Sequence, residues 1–590
     1  KNAAVETVKD GGVMTAADAT IAPGQGGSVL LDLNGYSITG GGTITIGANG
    51  DMGSLTVTGS GDVNATIRVS DGRLTLEAFS GKITTLEMDG VGGKVAPLNC
   101  GTFGTITADT AVTAGELLAP GYVFKNADGY VSQLWLTSLA DAGNQICSGA
   151  KKPVFAWESG ETLLYGFPEK GQTPFKRHYA ASGLTAPAFT VPLEARSLEP
   201  VGGGKYLVSA KTVLNPEDYQ DDDCVIVTEL PTQSNGTGYI SGTRASLFLY
   251  DSLSGETTQI TPPLFDVMQF SLCAQQGKIV ISGQSYEGKR VIKGGVSVYD
   301  LESGSFTQVV EPGTYRITYV SMLGSRVIFA GTLGLYNTIM ENPHFYLLDL
   351  ETGAVEDLAY PDLYIGGLTV GSDCRYGGGI HCKAAGESVF FTSAKIGDSH
   401  LFELSASGET RQVTKPSGSV DCFDTANGRC VMVAMRDMGL EELYVLNAAT
   451  GEERALTDFN GAYTRTHEVV RPKPLFFQND EGSTVSGWVM EPLGYDPKKR
   501  YPAILDIHGG PKGTYGEVYY HEMQIWAQAG YFVFFCNPRG SDGHGDAYSR
   551  IMGLNGTKDY DDIMHFTDLV LKQYPQIDQG RVGVTGGSYG

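Results

Sequence analysis

Residues 586–590, Gly586-Gly587-Ser588-Tyr589-Gly590, form a G-x-S-x-G pentapeptide. Glycines on both sides let a serine sit on a sharp turn between a strand and a helix, its hydroxyl exposed at the tip. A serine hydroxyl is a weak nucleophile at neutral pH and needs a general base, usually a histidine oriented by a carboxylate. The run before it, Arg581-Val582-Gly583-Val584-Thr585, reads as a short buried strand, the context this turn requires. Ser588 is the candidate nucleophile.

Two earlier loops have the same strand-end character. His508-Gly509-Gly510-Pro511 follows the apolar run Ala503-Ile504-Leu505-Asp506-Ile507, and Asn537-Pro538-Arg539-Gly540-Ser541 follows Tyr531-Phe532-Val533-Phe534-Phe535. Glycines at the carboxyl end of a strand bring backbone N–H groups close to a ligand, as an oxyanion hole demands. One such string is a moderate signal, but three in order, each closing its own strand, form a strong one. His508 lies on the oxyanion wall, where loop architecture outweighs proton transfer as its role. Arg539 either orients a loop or substrate carbonyl, or forms a structural ion pair.

These loops need a scaffold. Residues 519–530 and 559–574 have helical character, the second with Ile563, Phe566, Val570 and Leu571 on one side. Strand, helix, strand, helix, strand predicts a parallel sheet with right-handed crossovers over residues 466–590, the first half of an α/β-hydrolase.

Upstream, residues 125–465 repeat a different unit. Leu247–Asp251, Val296–Asp300, Phe345–Asp349, Leu401–Ser405 and Leu443–Asn447 each end a strand and are followed by a Ser- or Thr-Gly turn. The steps between positions 251, 300, 349, 405 and 447 are 49, 49, 56 and 42 residues. A period of this length fits a four-stranded propeller blade. Leu134-Trp135-Leu136 reads as an earlier unit and the region of Tyr179 as a degenerate one, giving seven blades, or eight. The acidic run Asp221-Asp222-Asp223 reads as a solvated insertion loop.

Residues 1–122 are rich in Gly, Thr and Ala, with short alternating strands at Ile44/Ile46, Leu55/Val57, Ile67/Val69, Leu74/Leu76 and Leu86/Met88. Such strands cannot close a core singly, so they stack as a β-solenoid or small sandwich, a spacer or surface module.

Formal net charge is −24, from 42 basic and 66 acidic residues. That balance argues against a nucleic-acid binder, which needs a basic face for phosphates. No apolar run long enough for a transmembrane helix occurs. The nine cysteines show no metal-ligand spacing, so neither zinc nor a disulfide framework is expected. Serine acyl transfer needs no cofactor, and none is signalled. The sequence opens on Lys1 rather than Met, and the expectation is a piece of a longer product. Its compartment stays open: cytoplasmic for the hydrolase body, surface or secreted if residues 1–122 are native to it.

From about residue 125 onward the chain resembles the prolyl oligopeptidase family of serine peptidases, nearest its acylaminoacyl-peptidase branch. The resemblance rests on Tyr501-Pro502-Ala503, Asp506–Pro511, Asn537–Ser541 with Gly543 and Gly545, and Gly586–Gly590. It implies a propeller over an α/β-hydrolase, admitting oligopeptides and excluding folded proteins. It implies Ser588 as nucleophile and the amides of Gly510 and Tyr589 as the oxyanion hole. The oligopeptidase and dipeptidyl-peptidase branches carry a tyrosine where this chain has His508, so those specificities are less expected. The family's triad Asp and His follow the serine and are expected beyond residue 590. The alternatives are a carboxylic-ester hydrolase and a non-catalytic surface binding protein; the oligomeric state is open.

Overall fold

The computed structural model describes residues 151–590 apart from 215–226, 235–236, 337–339, 366–369, 376–378 and 427–428. Before residue 151 it describes the strands and a few flanking residues. The acidic run 221–223 and the junction at 122–129 lie outside the described residues.

In the first region the strands pair in parallel, in two sheets. One runs Ala3–Thr7, Ser28–Asp32, Ser54–Gly59, Arg73–Phe79, Lys94–Val95. In the other, Val63–Val69 lies between Thr43–Ile46 and Lys82–Met88, which in turn pairs Thr102–Ala108. From Thr43–Ile46 onward successive strands go to alternate sheets, and the register sets Ile44 beside Ile67 and Ile67 beside Leu86. Leu55, Val57, Ile67, Val69, Leu74 and Leu86 are buried together between the sheets. Parallel rungs sharing a ladder of like residues are the element from which a solenoid is stacked.

Between 154 and 455 come four four-stranded antiparallel sheets and an eight-stranded sheet over Cys382–Ala455, in which Asp398–Ser405 meets Ser419–Ala426 through a single parallel bridge, as in a propeller-type domain. A two-stranded pair, Ser132–Leu136 with Asn144–Gly149, precedes them. The region of Tyr179 corrects the expectation of a degenerate unit. Tyr179 ends the third strand of a regular sheet, Val154–Ser159, Thr162–Gly166, Thr173–Tyr179, Thr185–Val191. It hides from pattern reading because its hairpin lacks the Asp-turn of the others. At 251, 300, 349 and 447 the acidic or amide side chain closes the turn, and at Ser405 a hydroxyl stands in: Asp300 Oδ1 accepts the N–H groups of Glu302 and Ser303 at 3.2 and 2.8 Å, Asn447 Oδ1 those of Ala449 and Thr450 at 3.0 and 3.3 Å, and Ser405 Oγ that of Glu409 at 3.2 Å. The following glycine then takes positive φ, 71° at both Gly304 and Gly451, which a Cβ would oppose. The repeat in the sequence is the chemistry of this turn.

The last sheet orders Lys473–Pro474, Thr484–Met490, Phe532–Asn537, Tyr501–Ile507, Ile577–Gly586. Phe532–Asn537 pairs antiparallel with Thr484–Met490 and parallel with Tyr501–Ile507, which is parallel to Ile577–Gly586. Every residue of Phe532–Asn537 is buried, as a central strand covered on both faces must be. Alternation sends Phe532 and Phe534 to the side of helix Lys558–Gln573, against Phe566 and Val570. Val533 and Phe535 point to the side of helix His521–Gln528, against Met523 and Ala527. Among the described residues no helix is long and apolar enough to cross a membrane.

Candidate active site

Three strand ends converge. Gly586 closes the strand Ile577–Gly586, and Ser588 follows with φ of 61°, a left-handed backbone rarely taken by a residue with a side chain. The Gly590 N–H returns to the Gly587 carbonyl at 3.1 Å, so the turn is tight. Its glycines are required by contact. A Cβ on Gly586 would lie 2.7 Å from the Ile507 carbonyl oxygen, and one on Gly590 only 2.0 Å from it. The serine is thereby set on a strained elbow, exposed at the carboxyl end of the sheet.

The neighbouring strand Tyr501–Ile507 delivers the His508–Pro511 loop to the same place. A Cβ on Gly509 would stand 3.2 Å from the Ser588 Cβ and 2.9 Å from the Gly587 oxygen. The loop is coiled closely, with a Gly510 Cβ position 2.5 Å from the Lys512 nitrogen and φ of 141° at Gly510. Among the described residues, the amides of Gly510 and Tyr589 donate to no protein acceptor. Both therefore keep a donor available for a ligand oxygen.

His508 is buried, and both its ring nitrogens are occupied. Nδ1 stands 2.8 Å from the Gly509 carbonyl, which can only accept, so Nδ1 donates there and Nε2 accepts from the Ser541 hydroxyl at 2.9 Å. Burial holds its pKa below the ordinary histidine value, keeping this neutral tautomer. His508 thus ties two loops together, and no described histidine hydrogen-bonds to Ser588. The Tyr589 hydroxyl reaches the other way, donating to Asp559 at the start of helix Lys558–Gln573.

The Asn537–Ser541 loop is clamped by its own polar groups. Asn537, fully buried, accepts from the Tyr515 N–H at 2.8 Å and donates to Thr514 Oγ1 and the Tyr515 carbonyl, each at 2.9 Å. Arg539 forms a two-pronged pair with buried Asp562, through Nε at 2.9 Å and Nη2 at 2.7 Å. Its Nη1 lies 2.6 Å from Asp480 and 3.0 Å from Glu481. All of its guanidinium nitrogens thus face carboxylates of the protein itself.

A second polar cluster gives no sign in sequence spacing. The Lys512 side chain is 1 % exposed, and its ammonium donates to the Met340 carbonyl and to Asn342 Oδ1 at 2.6 Å. Asp546 Oδ1 lies 3.5 Å away and the Tyr364 ring centre 4.8 Å. Burial depresses the Lys512 pKa, opposed by Asp542, Asp546 and Asp362. Asp542 is buried with one oxygen unpartnered, and burial pushes it up to about 6 despite Lys512. The partners are about 170 residues apart in sequence, so only the fold joins them.

The expected parallel sheet is a mixed one, antiparallel where Thr484–Met490 meets Phe532–Asn537, and its parallel part, ending in a serine elbow beneath a glycine loop, has the layout of an α/β-hydrolase sheet. Residues 517–590 match the prolyl oligopeptidase family, Peptidase_S9. The chain is 44% identical over 140 residues to an uncharacterized peptidase, YuxL, of Bacillus subtilis, covering 24% of this chain and 21% of that one. It is 29% identical over 210 residues to dipeptidyl-peptidase 5 of Porphyromonas gingivalis, covering 35% and 30%. These matches span less than a third of the length of either relative. Among solved structures, an acylaminoacyl peptidase of Pyrococcus horikoshii superposes with a TM-score of 0.62 at 22% identity, over 76% of this chain and 68% of that one, which is a likeness of fold.

Proposed function

We propose that this chain is part of a serine peptidase that hydrolyses short or N-blocked oligopeptides through an acyl-enzyme on Ser588. The observation that carries the reading is the Ser588 elbow, left-handed at φ 61° and packed against Gly509. In this reading the Ser588 hydroxyl attacks the scissile carbonyl carbon, its proton passing to the base. The tetrahedral oxyanion takes the amides of Gly510 and Tyr589. The amine then leaves with a proton, and water repeats the sequence on the ester to release the acid and restore the serine. The base and its carboxylate come from residues that follow the serine in the family's chain order. The amides of an oxyanion hole contribute about 3–4 kcal/mol each to lowering the barrier.

The proposed organisation is a solenoid-like module over 1–122, a propeller of seven blades over 125–465, and the hydrolase from 466. The Ser132–Leu136 pair supplies the seventh blade in part. In this scheme Arg539 and His508 hold the loops, and substrate is held by groups other than these two.

A second reading is release of dipeptides from a free N-terminus, which draws on the name of the Porphyromonas relative. Assay of the full-length protein on an acetyl-dipeptide anilide, the same peptide with a free amine, and a matched ester separates the cases. Preference for the blocked peptide, abolished in Ser588→Ala, supports the first reading. Preference for the free amine supports the second, a much higher kcat/KM on the ester alone supports an esterase, and activity untouched by Ser588→Ala ends all three.

A further inference from the structure

Lys512 stands two residues from Gly510, yet both of its hydrogen-bond acceptors belong to the segment 340–342 of the propeller-type sheets. The carboxylate nearest it on its own side, Asp546, is bound into that segment as well. Asp546 Oδ1 accepts the Asn342 N–H at 2.9 Å, Oδ2 takes the longer arm, 3.2 Å, of a shared bond from the Tyr360 hydroxyl, and the Asp546 N–H donates to Asp362 Oδ1 at 2.8 Å. Asp362 closes the ring, accepting Asn342 Nδ2 at 2.9 Å and the Tyr360 hydroxyl at 2.8 Å. The contact leaves no room for slack, since a Cβ on Gly545 would fall 2.4 Å from Asp362 Oδ2.

The buried ammonium is thus satisfied only while residues 340–364 are seated. Withdrawing them removes two of its hydrogen bonds at once and leaves Asp546 without Asn342 and Tyr360. A buried charge left unpaired costs several kcal/mol, so the loop must move to hydrate it. The chain from Lys512 to Gly510 is too short and too coiled to absorb that motion elsewhere: the Gly513 N–H is bonded to the Pro511 carbonyl at 2.8 Å, and the Asp542 N–H to the Gly513 carbonyl at 2.9 Å.

We propose that Lys512 is a positioning residue that makes the Gly509–Gly510 wall of the serine site depend on docking of segment 340–364. This rests on Ser588 as the nucleophile and Gly510 as an oxyanion donor. Peptide hydrolysis is then competent only in the docked arrangement, and undocking disables the wall as well as opening the site.

The test uses the full-length protein with Lys512→Met and, from the other side of the contact, Asn342→Ala, each read by kcat, KM and amide exchange at Gly513 and Asp542. Both variants are expected to lower kcat roughly tenfold to a hundredfold with KM little changed, because a misplaced wall acts on the transition state. Both should speed exchange at the two amides, and the double variant should be no worse than the more damaging single one. Unchanged kcat with unchanged exchange overturns the proposal. Lower thermal stability with unchanged kcat per folded molecule also overturns it, leaving Lys512 a structural residue. Should Lys512→Met fail to fold, Asn342→Ala decides alone. If Ser588→Ala retains full activity, the nucleophile reading fails, while amide exchange still reports whether the loop follows the segment.

Discussion

Gly397 and Gly516 meet backbone to backbone: a Cβ on Gly516 would fall 1.7 Å from the carbonyl oxygen of Gly397. Gly397 sits in the hairpin turn between Ser388–Lys395 and Asp398–Ser405, and Gly516 in the loop that continues from His508–Pro511. The same hairpin touches the other loop, the Ile396 N–H donating to the Gly543 carbonyl at 3.1 Å. One turn of the propeller-type sheets therefore wedges between the two loops flanking the serine. Gly516→Ala is expected to destabilise the protein by about 1–3 kcal/mol, the usual cost of overpacking. Gly160→Ala, where a Cβ meets open space, serves as control and should stay within about 0.5 kcal/mol of the parent. Urea unfolding of both variants checks this. Equal midpoints would show that the two backbones part without cost.

Arg539 carries a second expectation. Its bidentate partner Asp562 is buried, and the Arg539 N–H also donates to Asp562 Oδ2 at 2.9 Å. Replacing Asp562 by Ala leaves a guanidinium with its inner partner gone, and should cost about 3–5 kcal/mol. Arg539→Met combined with Asp562→Leu should cost much less than the two single changes summed, because the double variant leaves no orphaned charge. Denaturant midpoints of the three variants test it. Additive losses would show that the pair is not the unit of stability here.

The positions of the hydrolase strands and three loops are legible in the sequence because their signals are local, but the burial expected of Arg581–Thr585 is not found: Val584 is 68 % exposed. Apolar runs of strand length, glycines at strand ends and an amphipathic helix at 558–573 are properties of neighbouring residues. The Asp-turn repeat is legible for the same reason, and the sheet around Tyr179 escapes because it closes without that turn. What cannot be read is whatever the chain brings together over long distances. Nothing in His508-Gly509-Gly510-Pro511-Lys512 says that the lysine is bound by Asn342, and nothing in Gly397 says that Gly516 will face it. The Ser541 partner of His508 is equally invisible, so the loop-tying role emerges only from the two distances at its ring.

Asp506 should give the protein a pH-dependent stability. It is buried beneath the His508 loop, and burial pushes its pKa up to about 6 even though the Tyr515 hydroxyl donates to it at 3.2 Å. A folded pKa above the unfolded value means that the folded state holds the proton more tightly. The stability due to this proton is full below the unfolded value of 3.8 and is lost as pH rises through about 6. Asp506→Asn mimics the protonated acid and keeps an acceptor for Tyr515. It should be more stable than the parent at pH 7.5 by about 1–3 kcal/mol, since each tenfold difference in proton affinity is worth about 1.4 kcal/mol, and little different near pH 4. Urea unfolding at the two pH values reads the difference, and a uniform loss at both would mean that the carboxylate is stabilising as an ion.

His508 invites a sharper test, because a histidine beside a catalytic serine is easily taken for its base. Its geometry argues otherwise: Nδ1 is spent on Gly509 and Nε2 on Ser541, so neither nitrogen is turned to Ser588. Glutamine keeps one donor and one acceptor but cannot take up a proton. His508→Gln in the full-length protein should therefore lower kcat/KM by less than about tenfold, whereas loss of a true base costs on the order of ten-thousandfold or more. The sign of its pH effect gives an independent check. Burial lowers the folded pKa, so the unfolded chain binds the proton first, and stability is lost as pH falls from the ordinary histidine range toward the folded value. His508→Gln should remove that acid-side loss while leaving the acidic limb of the pH–rate profile where it was. A collapse of activity to the level of Ser588→Ala would instead make His508 the proton acceptor, and would require its ring to leave Ser541 during turnover.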